Sequence, residues 1–336
     1  MRINLALQGG GALGAITWGV LDRLLEEPDL EFEGISGASA GAMNAVALAH
    51  GLAQGGHAGA RKSLAEFWEA IGRVAAPVQL APVDEFGSAA LRLTPTQLML
   101  GMLRFYSPYQ LNPLDINPLR SIVERQFDFE RLRRASPVKL FIGATRVRSG
   151  SLKIFTDREL TASHLLASSC LPTLHHAIEI DGESYWDGAY AGNPPLYPLL
   201  YDCQAADALV VMLQPLHREG TPRTVDEIRA RAAEIQFSAT FLREMRSFAM
   251  AQSRVGRGIF SFGGSWLDRR LRALRLHLIE ADDFVRGLDP GKALNTNWAF
   301  LQQLMTLGRS RAGAWLERHR ADLGRRSSLD AAALFG

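Results

Sequence analysis

The sequence predicts an α/β fold built on a mainly parallel sheet. Three observations carry this expectation. The first 54 residues read strand, helix, strand, helix; both strand-to-helix junctions are rich in glycine; and the wholly apolar run 208–213 has the composition of a buried strand. With 336 residues, 47% of them apolar and no low-complexity tract, the chain can fill one large domain with an accessory segment, or two domains.

The elements follow in order. Residues 5–8 read as a buried strand that runs through Gly9-Gly10-Gly11-Ala12-Leu13-Gly14 into a helix over 15–26. A second strand over 31–36 opens a small-residue helix, and 57–74 looks amphipathic, with Leu64, Phe67, Trp68 and Ile71 on one side. Pro77, Pro82, Pro95, Pro108 and Pro113 punctuate 74–118 around apolar pieces such as Leu98-Met99-Leu100 and Met102 to Tyr106. Such a segment suits a lid or an acyl-chain wall, or else core packing under a long loop. A helix is expected over 117–127, with Pro118 in its first turn. Strands follow over 138–147 and 152–155, turning at Ser149-Gly150, then a helix over 161–169. The stretch 178–189 alternates about Asp181-Gly182 as a hairpin does. After the strand at 208–213 come a helix over 224–254, a break at Gly263-Gly264, a strand-like alternation over 271–280 and a last helix over 296–320. The tail after Gly324 is expected to fray.

Chemistry concentrates at the two glycine junctions. Gly37-Ala38-Ser39-Ala40-Gly41 is a G-x-S-x-G between a strand and a helix. A turn that sharp strains the serine backbone, needs tiny neighbours on both sides, and lifts the hydroxyl to the positive end of the next helix. The plainer reading is a tight βα turn with a capping serine. Gly9 to Gly14 can present backbone N–H groups to a ligand. The run also fits G-x-G-x-x-G, through Gly9, Gly11 and Gly14. A dinucleotide site, however, wants an acidic residue at the end of the second strand, where this chain places its serine turn. N–H donors on one strand end and a hydroxyl on the next make the layout of an acyl-transfer site. A catalytically silent binding module remains the alternative of another class.

Glycine loop, G-x-S-x-G and Asp187-Gly188-Ala189, in that order and spacing, resemble the patatin-like phospholipase family over roughly residues 1–215. Ala167-Ser168-Ser169-Cys170-Leu171-Pro172 and Gly192-Asn193-Pro194-Pro195 look like the family too. The resemblance implies a three-layer α/β/α sandwich, with 74–118 as a lid-like helical insertion and 216–336 as a mostly helical C-terminal extension. It implies a Ser–Asp dyad, with Ser39 as nucleophile and Asp187 as general base. Gly37, Gly41, Gly188 and Ala189 complete the two motifs, and the amides of Gly9, Gly10, Gly11, Ala12 and Gly14 form an oxyanion hole. The implied substrate is a phospholipid or lysophospholipid; an acylglycerol, a thioester or a hydroxyalkanoate oligomer would suit the same machinery. One departure is Leu13, where the family usually carries Arg or Lys. No histidine lies in a recognisable catalytic motif. His175 and His176 are near enough in sequence to line the site, although a hydrogen-bonded structural histidine is the plainer reading. An aspartate with the usual pKa of about 3.9 is a weak base, so Asp187 needs desolvation, for instance beside Tyr185 and Trp186.

Composition bounds the rest. No metal and no cofactor are expected, because His, Cys and carboxylates do not cluster at ligand spacing. Cys170 and Cys203 are far apart and suit a reducing compartment; Cys170 reads as a small buried hydrophobe. Met1-Arg2 leads straight into a strand, so no signal peptide is expected, and no run nears the ~20 apolar residues of a spanning helix. Residues 1–214 carry 17 basic and 22 acidic groups, whereas 215–336 carry 20 and 13. The arginine-rich C-terminal part suits anionic lipid headgroups, or simply solvated helix faces. The expectation is a cytoplasmic protein with peripheral contact to anionic membrane, acting on a lipid or other acyl ester, with no nucleic-acid partner.

Overall fold

The computed structural model describes residues 1–74, 105–255, 265–288 and 294–335. Its centre is one eight-stranded sheet: β1 (Arg2–Leu7), β2 (Glu31–Gly37), β3 (Lys139–Arg146), β4 (Leu152–Thr156), β5 (Ile178–Ile180), β6 (Glu183–Asp187), β7 (Asp207–Met212) and β8 (Arg275–Glu280). The order is β5-β6-β3-β2-β1-β7-β8, with β4 also on β3. The pairs β1/β2, β1/β7, β2/β3 and β7/β8 are parallel, and β4, β5 and β6 join antiparallel.

Apolar residues on both faces explain why the central strands read as continuous hydrophobic runs. On β1, Ile3, Leu5 and Leu7 enter one core and Ala6 the other; on β7, Leu209 and Val211 oppose Ala208, Val210 and Met212. Helices Gly14–Leu24, Ala40–Val74 and Trp298–His319 cover the first face. Tyr197–Asp202, Val225–Val255 and Ala331–Phe335 cover the second. The result is the expected three-layer α/β/α arrangement.

The helix Trp298–His319 lies directly against Gly14–Leu24. A Cβ on Gly308 would stand 2.0 Å from the Ile16 carbonyl oxygen, so the two backbones meet where only glycine fits. Arg309 ties the same crossing to Asp22 and Glu26. The C-terminal third is therefore joined to the N-terminal elements through helix packing as well as through β8.

Two expectations need correction. The alternation over 271–280 is a strand only from Arg275: the helix Trp266–Ala273 precedes it, its Ser265 cap accepting a hydrogen bond from the Asp268 amide. Leu271 is buried because it lies on the inner side of that helix. The tail does not fray. Ser327 Oγ accepts from the Leu276 amide, Ser328 Oγ meets His277 Nδ1, and Phe335 packs on Phe241. The Asp181-Gly182 hairpin is present, and the small-residue and amphipathic helices are two parts of Ala40–Val74, broken at Gly55 and Gly56. Of the 74–118 insertion, 75–104, including Leu98 to Leu100 and Met102 to Arg104, lies outside the described residues, as does Gly263-Gly264.

Candidate active site

Ser39 stands at the end of β2 with φ 55, a left-handed conformation that a serine adopts only under constraint. Two features hold it there. Its amide donates to the carbonyl oxygen and to Oγ of Ser168, at 3.0 and 3.1 Å. Behind it the chain turns at once into helix Ala40–Val74, where a Cβ on Gly41 would sit 2.0 Å from the Leu7 carbonyl oxygen. Gly37 ends β2 and packs against Gly41, so both glycines of the motif let the turn close on the sheet.

Asp187 is the last residue of β6, paired with Ala144 of β3, and it is fully buried. Its amide donates to the Cys170 carbonyl at 2.8 Å, and its own carbonyl accepts from Thr145 Oγ1. Oδ1 accepts from the Ala189 amide at 2.8 Å. Oδ2 is buried without a formed hydrogen bond. Burial pushes the carboxyl up to about 7, against the opposing pull of the Ala189 amide and the Ser39 side chain. The segment 168–170 thus joins both residues: its Ser168 holds Ser39 and its Cys170 holds Asp187. Gly188 and Ala189 begin the 3-10 turn Gly188–Tyr190, which aims an amide back at the carboxylate.

The glycine loop lies beside the serine turn, as read from the sequence, but its five positions differ. The Gly9 amide donates to Asn193 Oδ1 at 2.6 Å, and the Gly14 amide is bonded within the turn, to Gly11 and Ala12 carbonyls. Gly11 and Ala12 line a cleft together with Ser39. Gly10 closes the turn, its carbonyl accepting from the Leu13 amide. Leu13 is buried, so its side chain takes no polar role.

Asn193 was legible as family-like text but not as a structural key. It is fully buried, its Oδ1 accepts from the Gly9 amide, and its Nδ2 donates to the Phe237 and Gly9 carbonyls at 3.3 and 3.4 Å. Asn44, also unassigned from sequence, is the matching brace on the other side. Its Nδ2 donates to the Gly14 and Ala40 carbonyls, and its Oδ1 accepts from Trp68 Nε1.

The cleft over Ser39 has a volume of about 230 Å³. Met43, Phe67, Trp68 and Ile71 of helix Ala40–Val74 line it together with Leu171, Leu174, Ser169 and His175. His176 turns away, stacking on Tyr109 at 4.1 Å. Cys170 is buried, its Sγ donates to the His176 carbonyl, and burial with the nearby Asp187 charge pushes its thiol up to about 12, which leaves it unreactive. Among the described residues no group of three or more His, Cys, Asp or Glu side chains could hold a metal, and no helix is long and apolar enough to cross a membrane.

The folded-state pKa of Asp187 lies above the unfolded value of about 3.9, so the folded protein binds this proton more tightly than the unfolded chain does. Burying the charged form therefore costs stability above pH 7, and the cost disappears as pH falls toward 4. Asp187→Asn should raise resistance to urea at pH 8 by a few kcal/mol, order of magnitude, and by only about 1 kcal/mol at pH 4.5. An equal effect at both pH values would contradict a buried, proton-seeking carboxyl.

Solved structures similar to this chain include VipD from Legionella pneumophila, at 16% identity and a TM-score of 0.38, and ExoU in its complex with SpcU from the type III secretion system of Pseudomonas aeruginosa, at 15% and 0.30. The match covers 90% of this chain and 66% of VipD, and 95% of this chain and 76% of ExoU. No curated protein matches. The family model described as patatin-like phospholipase matches residues 5–200, more than half of the chain, and this protein belongs to that family.

Proposed function

We propose that the protein is a lipid acyl hydrolase that cleaves carboxylic esters through Ser39 and Asp187 by way of an acyl-serine intermediate. One observation carries the reading: a buried carboxylate with an unsatisfied oxygen, whose pKa the Ser39 side chain pulls down, lies close to a serine held in strained backbone that lines an apolar cleft. Burial makes Asp187 a far better base than an exposed aspartate, which answers the weakness of a dyad without histidine. Family membership supports a lipid hydrolase.

In this reading the acyl chain lies against Met43, Phe67, Trp68 and Ile71, with the carbonyl over Ser39. Ser39 Oγ attacks the carbonyl carbon while its proton passes to Asp187. The oxyanion takes hydrogen bonds from Gly10, Gly11 and Ala12, the loop positions other than Gly9 and Gly14, whose amides are bonded elsewhere. Such donors each contribute roughly 3–4 kcal/mol in serine hydrolases. Collapse expels the alcohol, which receives the proton from Asp187. Water then attacks acyl-Ser39, again with Asp187 as base, and the fatty acid leaves. The dinucleotide alternative is weaker, because the Gly9 amide is taken by Asn193 and β2 ends in the serine turn.

Access from a lipid surface belongs to the same proposal. Phe105, Tyr106, Tyr109, Leu114 and Ile116 are exposed on a segment that packs, through the Tyr109–His176 stack, against the residue next to the cleft-lining His175. Large exposed apolar groups of this kind mark an interaction surface, and the arginine-rich part after residue 215 adds attraction to anionic headgroups.

Two outcomes are expected. The base must be ionised, so kcat/KM on an acyl ester should fall as pH drops through about 7, with one proton taken up, and Ser39→Ala should abolish turnover at every pH. A profile flat from pH 5 to 8 would remove Asp187 as the base. On vesicles, flotation should be stronger with anionic than zwitterionic lipid and should weaken from low to high salt, since screening acts within about 10 Å at 0.1 M. Failure to float in every condition would remove membrane contact from the reading.

A further inference from the structure

A second cleft lies on the other face of the sheet. Leu216, Leu242, Leu334 and Phe335 line it together with Arg243, Arg246 and His217. Its volume is about 380 Å³, within the ~300–1,000 Å³ typical of small-ligand sites. Its apolar residues belong to the second core, whereas Met43, Phe67 and Trp68 beside Ser39 belong to the first. Leu216, Leu242 and Leu334 are only partly buried there, which leaves apolar surface for a ligand to cover. Arg243 and Arg246 are three residues apart on helix Val225–Val255 and share one side of it. Both are exposed, and neither forms an ion pair among the described residues. The lining holds no carboxylate. Two other clefts away from Ser39 differ in this respect: Glu234 engages Arg218 and Arg231 in one, and Glu280 lines the other.

We propose that this cleft is a binding site for an unesterified fatty acid, separate from the Ser39 cleft. Arg243 and Arg246 hold the carboxylate, and Leu216, Leu242, Leu334 and Phe335 cover the first part of the chain. The lining selects both parts of such a ligand. A guanidinium presents a planar fork of N–H donors that matches a carboxylate, and two unpaired ones side by side call for an anion. The apolar residues beside them call for a hydrocarbon chain on the same molecule. A small anion would leave that apolar surface wet, and a fatty alcohol would leave both guanidiniums without a counter-charge. In the acyl-hydrolase reading a fatty acid is also the product, but the lining of this cleft is the same whether or not Ser39 turns over an ester.

The ligand would touch three stretches that are far apart in sequence: residues 216–217 after β7, helix Val225–Val255, and the C-terminal helix Ala331–Phe335. Phe335 already packs on Phe241 of the long helix, with ring centroids 6.0 Å apart. A chain laid over Leu334 and Phe335 extends that contact and ties the C-terminal helix down.

Calorimetric titration of the full chain with decanoate tests the site, with hexanoate, decanol and inorganic phosphate as comparisons. Decanoate should bind. Hexanoate, shorter by four methylenes, should bind at least tenfold more weakly, since each fully buried methylene counts for roughly a factor of four. Decanol and phosphate should each bind at least tenfold more weakly than decanoate. Arg243→Gln and Arg246→Gln together should weaken one decanoate site about tenfold, and the paired changes to Lys should restore part of the loss. Both side chains are exposed, so the urea midpoint should match wild type; if the double variant does not fold, the wild-type comparison of the four probes decides. Decanol or phosphate binding as tightly as decanoate overturns the site, and so does decanoate binding that is unchanged in the double Gln variant. Arginine-dependent binding to phosphatidylglycerol vesicles without binding of free decanoate assigns the two arginines to a headgroup and overturns it too. No arm uses ester hydrolysis, so each of these failures leaves the acyl-hydrolase reading standing, and a chain inert toward esters leaves the site standing.

Discussion

A carboxylate kept out of water is the constraint on which the rest of this structure depends. Asp187 is fully buried and one of its oxygens has no formed hydrogen bond. Water would stabilise that charge by far more than the single Ala189 amide does, so the site exists only because the surrounding fold over-determines it. The same holds for Ser39, whose left-handed backbone adds roughly 1–3 kcal/mol of strain. Both costs are offset by the sheet: β6 is pinned to β3, and the 168–170 segment bonds to both residues at once. Two unfavourable local states are thereby coupled through one short stretch of chain.

The glycine loop is held by an equivalent device built from side-chain amides. Asn193 pairs with both polar groups of Gly9 and reaches the Phe237 carbonyl on helix Val225–Val255. Glu244 on that helix caps the start of Tyr197–Asp202 by accepting from the Leu196 and Tyr197 amides. Gln8 accepts from the Leu213 and Gln214 amides and so ties the end of β1 to the end of β7. The long C-terminal helix is therefore part of what fixes the loop next to the serine, although it contributes no side chain to the cleft. Hydrogen bonds of this buried kind contribute modestly when made and cost more when one partner is lost, so they specify position more than they add stability.

Much of this was legible in the sequence because the signals are local. A strand that must turn sharply into a helix leaves Gly37, Ser39 and Gly41 at fixed spacing, and a sheet buried on both faces leaves runs such as 208–213. The hairpin around Asp181-Gly182 likewise follows from turn chemistry and alternation. Features that depend on distant partners were not legible. Nothing near Asn193 or Asn44 announces that each closes a bond network across the molecule, and no local pattern commits the Gly9 and Gly14 amides elsewhere. The tail after Gly324 reads as polar and loose, yet Ser327 and Ser328 find partners on β8 and Phe335 finds Phe241. Leu271 alternates with its neighbours like a strand residue because a one-sided helix of eight residues offers the same short-range pattern.

The central claim is that Ser39 is made nucleophilic by a buried, unprotonated Asp187. Mass-mapped labelling by a fluorophosphonate, followed as a function of pH, tests it most directly, because the reagent reports an activated serine without needing a substrate. The account predicts a single adduct on Ser39, formed at a rate that rises with pH around a midpoint near 7 and is lost in Asp187→Asn. An adduct on another residue, no adduct at all, or labelling of Ser39 that survives Asp187→Asn would contradict it.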